Sequence, residues 1–273
     1  MEYLEVDRGD VVYLHTSFSR LAYLAMRPNE FLDALISYLG SSSTLVLPSF
    51  AWNIDATQRP WKGYADYYRS RPIFDVRHTP ANIGVVPEIF RSRPGVRRSA
   101  LYWWSIAALG PMADILTDRQ HEIEHPYSPE SAFGRLEAQG AKVVGLGVSL
   151  NTTSLAPVAD YQLGDRHPQV IFSEAPQEGI VVDADGHAIA TRSYWLLPEV
   201  VRLIQPSEVI ARSGGLGGGL RRLDIGDTTH FAYHAADYTR TAVQLAAEPA
   251  AQAARVPWLE RYPVMKNGTR KGS

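Results

Sequence analysis

The chain has 273 residues, of which 45% are hydrophobic and 21% are charged, so it can bury a substantial core as one large domain or two smaller ones. Lys and Arg total 27 against 29 Asp and Glu, and the formal net charge of -2 creates no field suited to nucleic acid or to an anionic membrane. The sequence contains no cysteine, which excludes disulfides, thiolate nucleophiles and cysteine-ligated metals.

The amino-terminal residues predict no export signal. Residues 1–10 alternate apolar and charged side chains and lack the basic start and apolar run of a signal peptide. No apolar run approaches the roughly 20 residues that a membrane-spanning helix needs. We therefore expect a cytoplasmic protein with neither a nucleic-acid nor a membrane partner, and the sequence leaves a homodimer open.

The first unit predicts a strand, a helix and a second strand. Residues 11–14 are an apolar run, residues 15–20 (HTSFSR) a polar turn, and residues 44–48 (TLVLP) a second apolar run. Between them, residues 27–40 repeat apolar side chains at helical spacing, after an Arg-Pro-Asn-Glu start and before a terminal glycine. Buried strands connected by a helix are typical of a βαβ unit.

The next part of the chain continues the α/β pattern after a long irregular segment. Residues 51–80 are rich in aromatic residues, arginine and proline, which favours an ordered functional loop. Residues 84–91 predict a short helix, and residues 105–109 and 142–148 predict strands. The second of these strands ends in Gly-Val-Ser, at the carboxyl end where ligands of such sheets bind.

The last third predicts a hairpin and a final helix. Residues 170–173 and 180–183 are strand candidates beside an Asp-Gly turn at 185–186, and residues 228–245 predict a helix. The glycine-rich run 214–219 lacks the Lys-Ser/Thr of a phosphate loop, which favours a flexible turn. We predict a single domain over residues 1–273, with residues 170–225 as a smaller subregion that contains the hairpin.

Two constellations are easily mistaken for sites. His230, His234 and Asp237 would share one face of the predicted helix, but Phe231 stands where zinc-protease helices carry Glu. We predict a packed helix there and no metal site. The turn at residues 145–149 contains serine without the Gly-x-Ser-x-Gly order, which disfavours a serine hydrolase.

The polar turn after the first strand is the first candidate site. Its backbone N–H groups and hydroxyls suit a phosphate or pyrophosphate, and they equally suit a capped helix with a packed His15. The turn is also the first of a series of ordered motifs, which are 15–19 (HTSFS), 40–50 (GSSSTLVLPSF), 74–75 (FD), 79–80 (TP), Gly84, Glu88, 91–99 (RSRPGVRRS), 105–111 (SIAALGP), 128–136 (SPESAFGRL), 143–148 (VVGLGV) and 151–153 (NTT). Together these motifs resemble the aminoglycoside 3-N-acetyltransferase family, across residues 11–160.

The resemblance implies a three-layer α/β/α fold with a mixed sheet, and transfer from acetyl-CoA, or another acyl-CoA, to an amine of a small molecule. The positions expected to contact CoA are His15, Thr16, Ser17, Ser19, Arg98 and Ser105. Arg97 and Arg98 are fixed cations that could meet CoA phosphates, with a solvated basic turn as the alternative.

The family's proton acceptor is missing from this sequence. The family motif reads Asn-Thr-Thr/Ser and then His-x-x-Glu, and its His is the expected general base. Here residues 151–160 place Ala156 or Pro157 at the His position and keep only Asp160 as the acidic partner. Neither alanine nor proline can accept a proton.

A second family segment, Arg-Ser-x-His-Pro-x-His-Ser, has also lost its imidazoles. In residues 98–105 the two positions hold Leu101 and Trp104. This change predicts a pocket better suited to a flat or apolar molecule than to a polycationic sugar. The alternative is that Trp103 and Trp104 fill a core.

We assign candidate roles accordingly. Asp160 and Glu88 would attract the acceptor amine, and Trp52, Trp103 and Trp104 would form aromatic walls. His78 and His15 are candidate replacements for the missing base, although a lone loop histidine is more often structural. The alternatives to acyl transfer are a binding protein without catalysis and a different biosynthetic reaction in the same cleft.

Overall fold

Ten strands of the described residues form two sheets. The computed structural model describes residues 1–51, 73–101, 104–167, 171–196 and 205–249. The strands are β1 (Val11–Thr16), β2 (Thr44–Pro48), β3 (Ile73–Asp75), β4 (Arg97–Arg98), β5 (Ile106–Leu109), β6 (Lys142–Leu146), β7 (Gln177–Val182), β8 (Ala188–Ser193), β9 (Arg221–Ile225) and β10 (Thr228–His234). The helices are α1 (Pro28–Leu39), α2 (Val85–Arg91), α3 (Ala113–Thr117), α4 (Ala132–Ala138), α5 (Ala156–Leu163), α6 (Pro206–Arg212), α7 (Gly214–Gly217) and α8 (Ala235–Ala247). Short 3-10 helices cover Glu2–Leu4, Phe18–Leu24, Gln120–Glu122 and Gly164–Arg166.

The larger sheet is mixed and has seven strands in the order β4-β5-β2-β1-β6-β10-β9. β1 runs parallel to both β2 and β6, whereas β5 and β10 run antiparallel to their neighbours. The carboxyl ends of β1, β2 and β6 therefore meet at one edge of the sheet. The chain leaves β1 toward β2 on one side, and β6 lies on the other side. This switch in direction is where open α/β sheets bind ligands.

Helices cover both faces of this sheet. One core contains Tyr13 and Val143 from the sheet with residues of α3 to α8, and the other contains Val12 and Leu14 with residues of α1 and α2. β1 is buried on both sides, which explains why its sequence is a continuous apolar run and not an alternation. The predicted three-layer α/β/α fold is confirmed.

Helix α1 has the ends that its sequence predicts. Pro28 occupies the first turn, and the backbone N–H of Arg27 donates to Glu30 Oε2 at 2.7 Å. Gly40 ends the helix with a φ of 72°, a conformation that favours glycine. The side that faces the sheet consists of Phe31, Leu32, Leu35 and Leu39.

The prediction of a helix over residues 228–245 is wrong for its first seven residues. Residues 228–234 form β10, which pairs with β6 and β9, and α8 begins at Ala235. The run Thr-Thr-His-Phe-Ala-Tyr-His has the β-branched and aromatic content typical of a strand. His230 and His234 are therefore about 13 Å apart along a strand, at about 3.3 Å per residue, and do not share a helix face with Asp237.

The predicted hairpin is confirmed and belongs to the smaller sheet. β7 and β8 pair antiparallel, and Asp183 Oδ1 accepts hydrogen bonds from the backbone N–H groups of Asp185 and His187. β3 joins them in the order β3-β7-β8, so this sheet draws on residues outside 170–225, while β9 lies in the larger sheet. In α7, Leu216 has a left-handed φ of 56°, which departs from helical geometry.

Several predictions extend beyond the described residues. Of the predicted loop, residues 52–72 lie outside them, and residues 73–75 form β3. Val170 also lies outside, whereas Phe172 makes an isolated bridge to Leu196. Within the described ranges, no helix is long and apolar enough to cross a membrane.

Candidate active site

Polar residues follow the strands that end at the switch point. The backbone N–H of Ser17 donates to Leu146 O at 3.1 Å and joins the turn after β1 to the end of β6. The backbone N–H of Ser49 donates to Ser105 O at 2.8 Å and joins the end of β2 to the start of β5. The turn at residues 15–19 and the Gly-Leu-Gly motif after β6 are therefore neighbours.

Two glycines of the β6 motif allow close contacts, one with the turn after β1 and one with β10. A Cβ at Gly147 would lie 3.1 Å from Ser17 O, and the φ of +71° also disfavours other residues. A Cβ at Gly145 would lie 2.2 Å from the ring of Phe231 on β10. The motif thus brings the chain after β6 against the turn that follows β1.

His15 lies near the end of β1 and is 5% exposed. Its ring makes an edge contact with Tyr13, with centroids 4.7 Å apart. Burial lowers the pKa of His15 to about 4, so the imidazole is neutral at physiological pH. Within the described residues, His15 Nε2 is buried and has no hydrogen-bond partner.

Several hydroxyl groups lie near the carboxyl ends of β1 and β2. Thr16 Oγ1 and Ser49 Oγ are buried without a hydrogen-bond partner in the part of the chain that the structure describes. Ser17 Oγ lies 3.4 Å from Ser19 Oγ. Buried polar atoms are normally paired, so unpaired atoms at a ligand-binding edge fit a polar molecule that supplies the partners.

Arg98 is a buried arginine with backbone partners. Its Nη1 donates to the carbonyl oxygens of Val76 and Thr79, and its Nη2 donates to Ser49 O at 2.7 Å. The guanidinium also lies over the ring of Phe74, 4.6 Å from the centroid. Burial, followed by the nearby Arg91, lowers the pKa of Arg98 to about 9. These contacts favour a structural role over the predicted contact with CoA phosphates.

Ser105 shares this supporting arrangement. Its Oγ donates to Ser49 O at 2.5 Å, and its side chain is fully buried. Arg98 and Ser105 therefore converge on one carbonyl and hold the backbone that presents the Ser49 hydroxyl. Sequence reasoning selected the two supporting residues and missed Ser49, although Ser49 lies within the quoted motif 40–50.

Glu88 and His78 have local partners. Glu88 Oε2 accepts hydrogen bonds from Arg91 Nε and from the backbone N–H of Ala81, each at 2.6 Å. Burial acts to raise the pKa of Glu88, but these hydrogen bonds outweigh it and leave the pKa below its usual value. The His78 side chain is 82% exposed, and its Nδ1 lies 2.9 Å from Asp75 Oδ2. Neither environment resembles a cleft that shields a reacting amine from water.

Trp104 belongs to the core. It is 9% exposed, and its ring centroid lies 5.3 Å from Phe50 and 5.4 Å from Tyr127. This position agrees with the alternative in which the tryptophan fills a core. Trp52 and Trp103 lie outside the described residues.

Asp160 lies on α5, whose apolar side joins the same core as Tyr13. Ala156 and Pro157 form the first turn of this helix. The Asp160 side chain is 10% exposed, and its Oδ1 lies 3.8 Å from His167 Nε2, in a side chain that is fully buried. Sequence reasoning missed His167, which the left-handed φ of 52° at Gly164 helps to turn back toward Asp160.

Tyr161, which follows Asp160 on α5, contributes to an aromatic surface. His125 stacks on Tyr194 with centroids 4.1 Å apart and contacts Tyr161 and Phe172, each at 5.4 Å. Burial lowers the pKa of His125, with the nearby Glu124 opposing the shift. This surface was also missed, because it joins residues that are far apart in sequence.

A cavity of about 310 Å³ lies on the opposite side of the sheet, between the 3-10 helix Phe18–Leu24, α1 and β10. Its walls are apolar apart from groups such as the hydrogen-bonded pair of Tyr23 Oη and His230 Nε2, which are 2.9 Å apart. We do not assign the transfer chemistry to this cavity, because it lies away from Asp160 and His15.

The chain was compared with known proteins. It is 31% identical over 255 residues to aminoglycoside N(3)-acetyltransferase III of Pseudomonas aeruginosa, with 88% of each chain covered. It is 33% identical over 175 residues to aminoglycoside N(3)-acetyltransferase IX of Micromonospora chalcea, which covers 62% of this chain and 61% of that protein. With the second relative, the match therefore spans less than two thirds of the relative's length.

Solved structures have the same fold. The crystal structure of aminoglycoside acetyltransferase AAC(3)-Xa superimposes with a TM-score of 0.70 at 28% identity, covering 89% of this chain and 88% of that one. The binary structure of AAC-IIIb with CoASH has a TM-score of 0.65 at 22% identity, covering 98% and 96%. The family model described as aminoglycoside 3-N-acetyltransferase matches residues 13–247. The chain therefore belongs to the aminoglycoside 3-N-acetyltransferase family.

Proposed function

We propose that this protein transfers an acetyl group from acetyl-CoA to an amine of a small molecule. The observation that carries the proposal is family membership over residues 13–247. A structural relative, AAC-IIIb, has been solved with CoASH, which supports a CoA thioester as the donor.

The donor site is proposed at the end of β1 and β2. The hydroxyls of Thr16, Ser17, Ser19 and Ser49 would bind polar groups of the CoA arm, and two of them are buried without a partner in the described residues. The thioester supplies an activated acyl carbon. The protein would supply the fixed position in which an amine reaches that carbon.

The acceptor amine is proposed to lie against Asp160. A carboxylate attracts the amine and can accept its proton, and His167 Nε2 lies 3.8 Å from Asp160 Oδ1. Because residues 156 and 157 carry no titratable group, we propose that positioning contributes more here than strong general-base catalysis.

The acceptor is proposed to be a small amine with few charges. A polycationic sugar binds through several carboxylates, and Glu88, Glu122 and Glu124 of the described residues are each paired with an arginine, which makes these three less available to it. The aromatic surface of His125, Tyr194 and Phe172 offers stacking area beside α5. An amino sugar with one reactive amine, or an aromatic or apolar amine of specialised metabolism, fits this chemistry.

The test is an acetyl-transfer assay with a panel of amines that ranges from polycationic aminoglycosides to aromatic monoamines. Release of free CoA thiol and the product mass would be measured together. We expect acetylation of an amine with few charges. Tight ligand binding without turnover would favour a sequestering protein, and no binding of acetyl-CoA at millimolar concentration would overturn the proposal.

A further inference from the structure

His15 lies at the switch point between β1 and β6. It pairs in register with Gly145, which has no side chain, and the ring of Phe231 fills the space that a Cβ at Gly145 would need. Its side chain is on the same face of β1 as Tyr13, and apolar residues of α5, the helix that carries Asp160, pack in the core on that face. The imidazole therefore lies on the side of the sheet where the amine is proposed to bind.

The buried imidazole of His15 destabilises the folded state. Among the described residues, Nε2 has no hydrogen-bond partner, and an unsatisfied buried polar atom costs about 1–3 kcal/mol. An apolar side chain at this position would avoid that cost. A destabilising polar group at a ligand-binding edge is typical of a residue that serves function and not stability.

The imidazole also stays uncharged. Burial lowers the pKa of His15, and no charged side chain of the described residues contributes to the shift. A neutral imidazole is a weak base at this pKa, but it retains one N–H that can donate. A buried donor fixed by the strand is the kind of group that stabilises negative charge as it develops on a carbonyl oxygen.

We propose that His15 Nε2–H donates a hydrogen bond to the carbonyl oxygen of the thioester during acetyl transfer. This inference rests on the proposed function. As the neutral amine nitrogen bonds to the acyl carbon, the C=O electron pair moves to oxygen, where His15 binds it. The pair then returns, the C–S bond breaks, and the amine proton passes through Asp160 to the thiolate. The products are an N-acetyl amide and CoA thiol, and His15 keeps its proton.

The test uses His15→Leu and His15→Gln. Leucine fills the space without a donor, and glutamine keeps an N–H donor. We expect His15→Leu to retain or raise the melting temperature, to bind acetyl-CoA within about threefold of the wild type, and to lose about 100-fold in kcat. The kcat of His15→Gln should be about tenfold higher than that of His15→Leu. His230→Leu, a buried histidine on the other side of the sheet, is the matched control and should keep kcat.

The second readout needs no acceptor. Infrared spectra of bound acetyl-CoA labelled with ¹³C at the carbonyl should show a lower C=O stretching frequency in the wild type and His15→Gln than in His15→Leu. Equal frequencies, unchanged kcat in His15→Leu, or joint loss of stability and binding in that variant would overturn the role of His15. Absence of acetyl-CoA binding by the wild type would overturn the proposed function and this inference together.

Discussion

Replacement of Arg98 by methionine distinguishes a structural arginine from a phosphate ligand. Arg98→Met removes the donor to three carbonyl oxygens, those of Val76, Thr79 and Ser49. A hydrogen bond to a charged group contributes about 1.5–3 kcal/mol, so the upper limit for three such bonds is about 9 kcal/mol. Desolvation of the guanidinium, which also lowers its pKa, offsets a large part of this gain.

We therefore expect Arg98→Met to lower the free energy of unfolding by about 3 kcal/mol, since methionine keeps the apolar contact with Phe74. For a chain of this size the melting temperature should fall by about 6–10 °C. Urea denaturation followed by circular dichroism at neutral pH measures the change. Acetyl-CoA affinity, measured by titration well below the new melting temperature, should stay within about threefold.

The matched control is Arg97→Met. Arg97 is adjacent in sequence, its side chain is 61% exposed, and it pairs with Asp114. Loss of an exposed ion pair costs at most about 1 kcal/mol. If Arg98→Met kept full stability and weakened acetyl-CoA binding about tenfold in a salt-dependent manner, the structural role would be refuted and a phosphate contact supported.

Other parts of the account have direct tests. Folding lowers the pKa of His15 from 6.5 to about 4, so this group's contribution to the free energy of unfolding should be complete above pH 6.5 and should fall by about 3 kcal/mol as the pH drops toward 4. Denaturation of His15→Leu across this range should show a slope smaller than that of the wild type by this contribution. Gly145→Ala should lower the free energy of unfolding by about 2 kcal/mol or more, because the added methyl group would clash with the ring of Phe231. The double variant Gly145→Ala, Phe231→Leu should recover part of this stability. Equal stability of all variants in urea denaturation would contradict the close contact. In steady-state assays, Asp160→Asn should reduce kcat at least about tenfold with little change in acetyl-CoA affinity. His78→Ala should leave kcat unchanged, because the His78 side chain is 82% exposed. The reverse pattern would assign proton transfer to His78 and not to Asp160.

Local signals in the sequence were sufficient for the first half of the sheet. The apolar runs of β1 and β2, the Pro28 start and the Gly40 end of α1 depend on residues close together in the chain. The hairpin around residues 185–186 is equally local. The strand β10 was harder to predict, because its partner β6 lies more than eighty residues earlier in the chain.

The site was harder to predict because its contacts are long-range. Arginine is a common phosphate ligand, so the sequence favours that role for Arg98. Only the structure shows that its guanidinium N–H groups already donate to the carbonyl oxygens of residues 49, 76 and 79. The contact of His125 with Tyr194 joins a residue before the β7–β8 hairpin to one directly after it. His167 reaches Asp160 only because the chain reverses after α5. Sequence spacing carries no direct signal for such contacts.

Amide hydrogen exchange with and without acetyl-CoA tests the central proposal most directly, because it maps where the thioester binds in the intact protein. The account predicts slower exchange in residues 15–20 and in residues 147–151, on either side of the switch point. Residues 1–10 and 28–38, which border the apolar cavity, should exchange unchanged. Slower exchange confined to the segments around that cavity would contradict the assigned donor site.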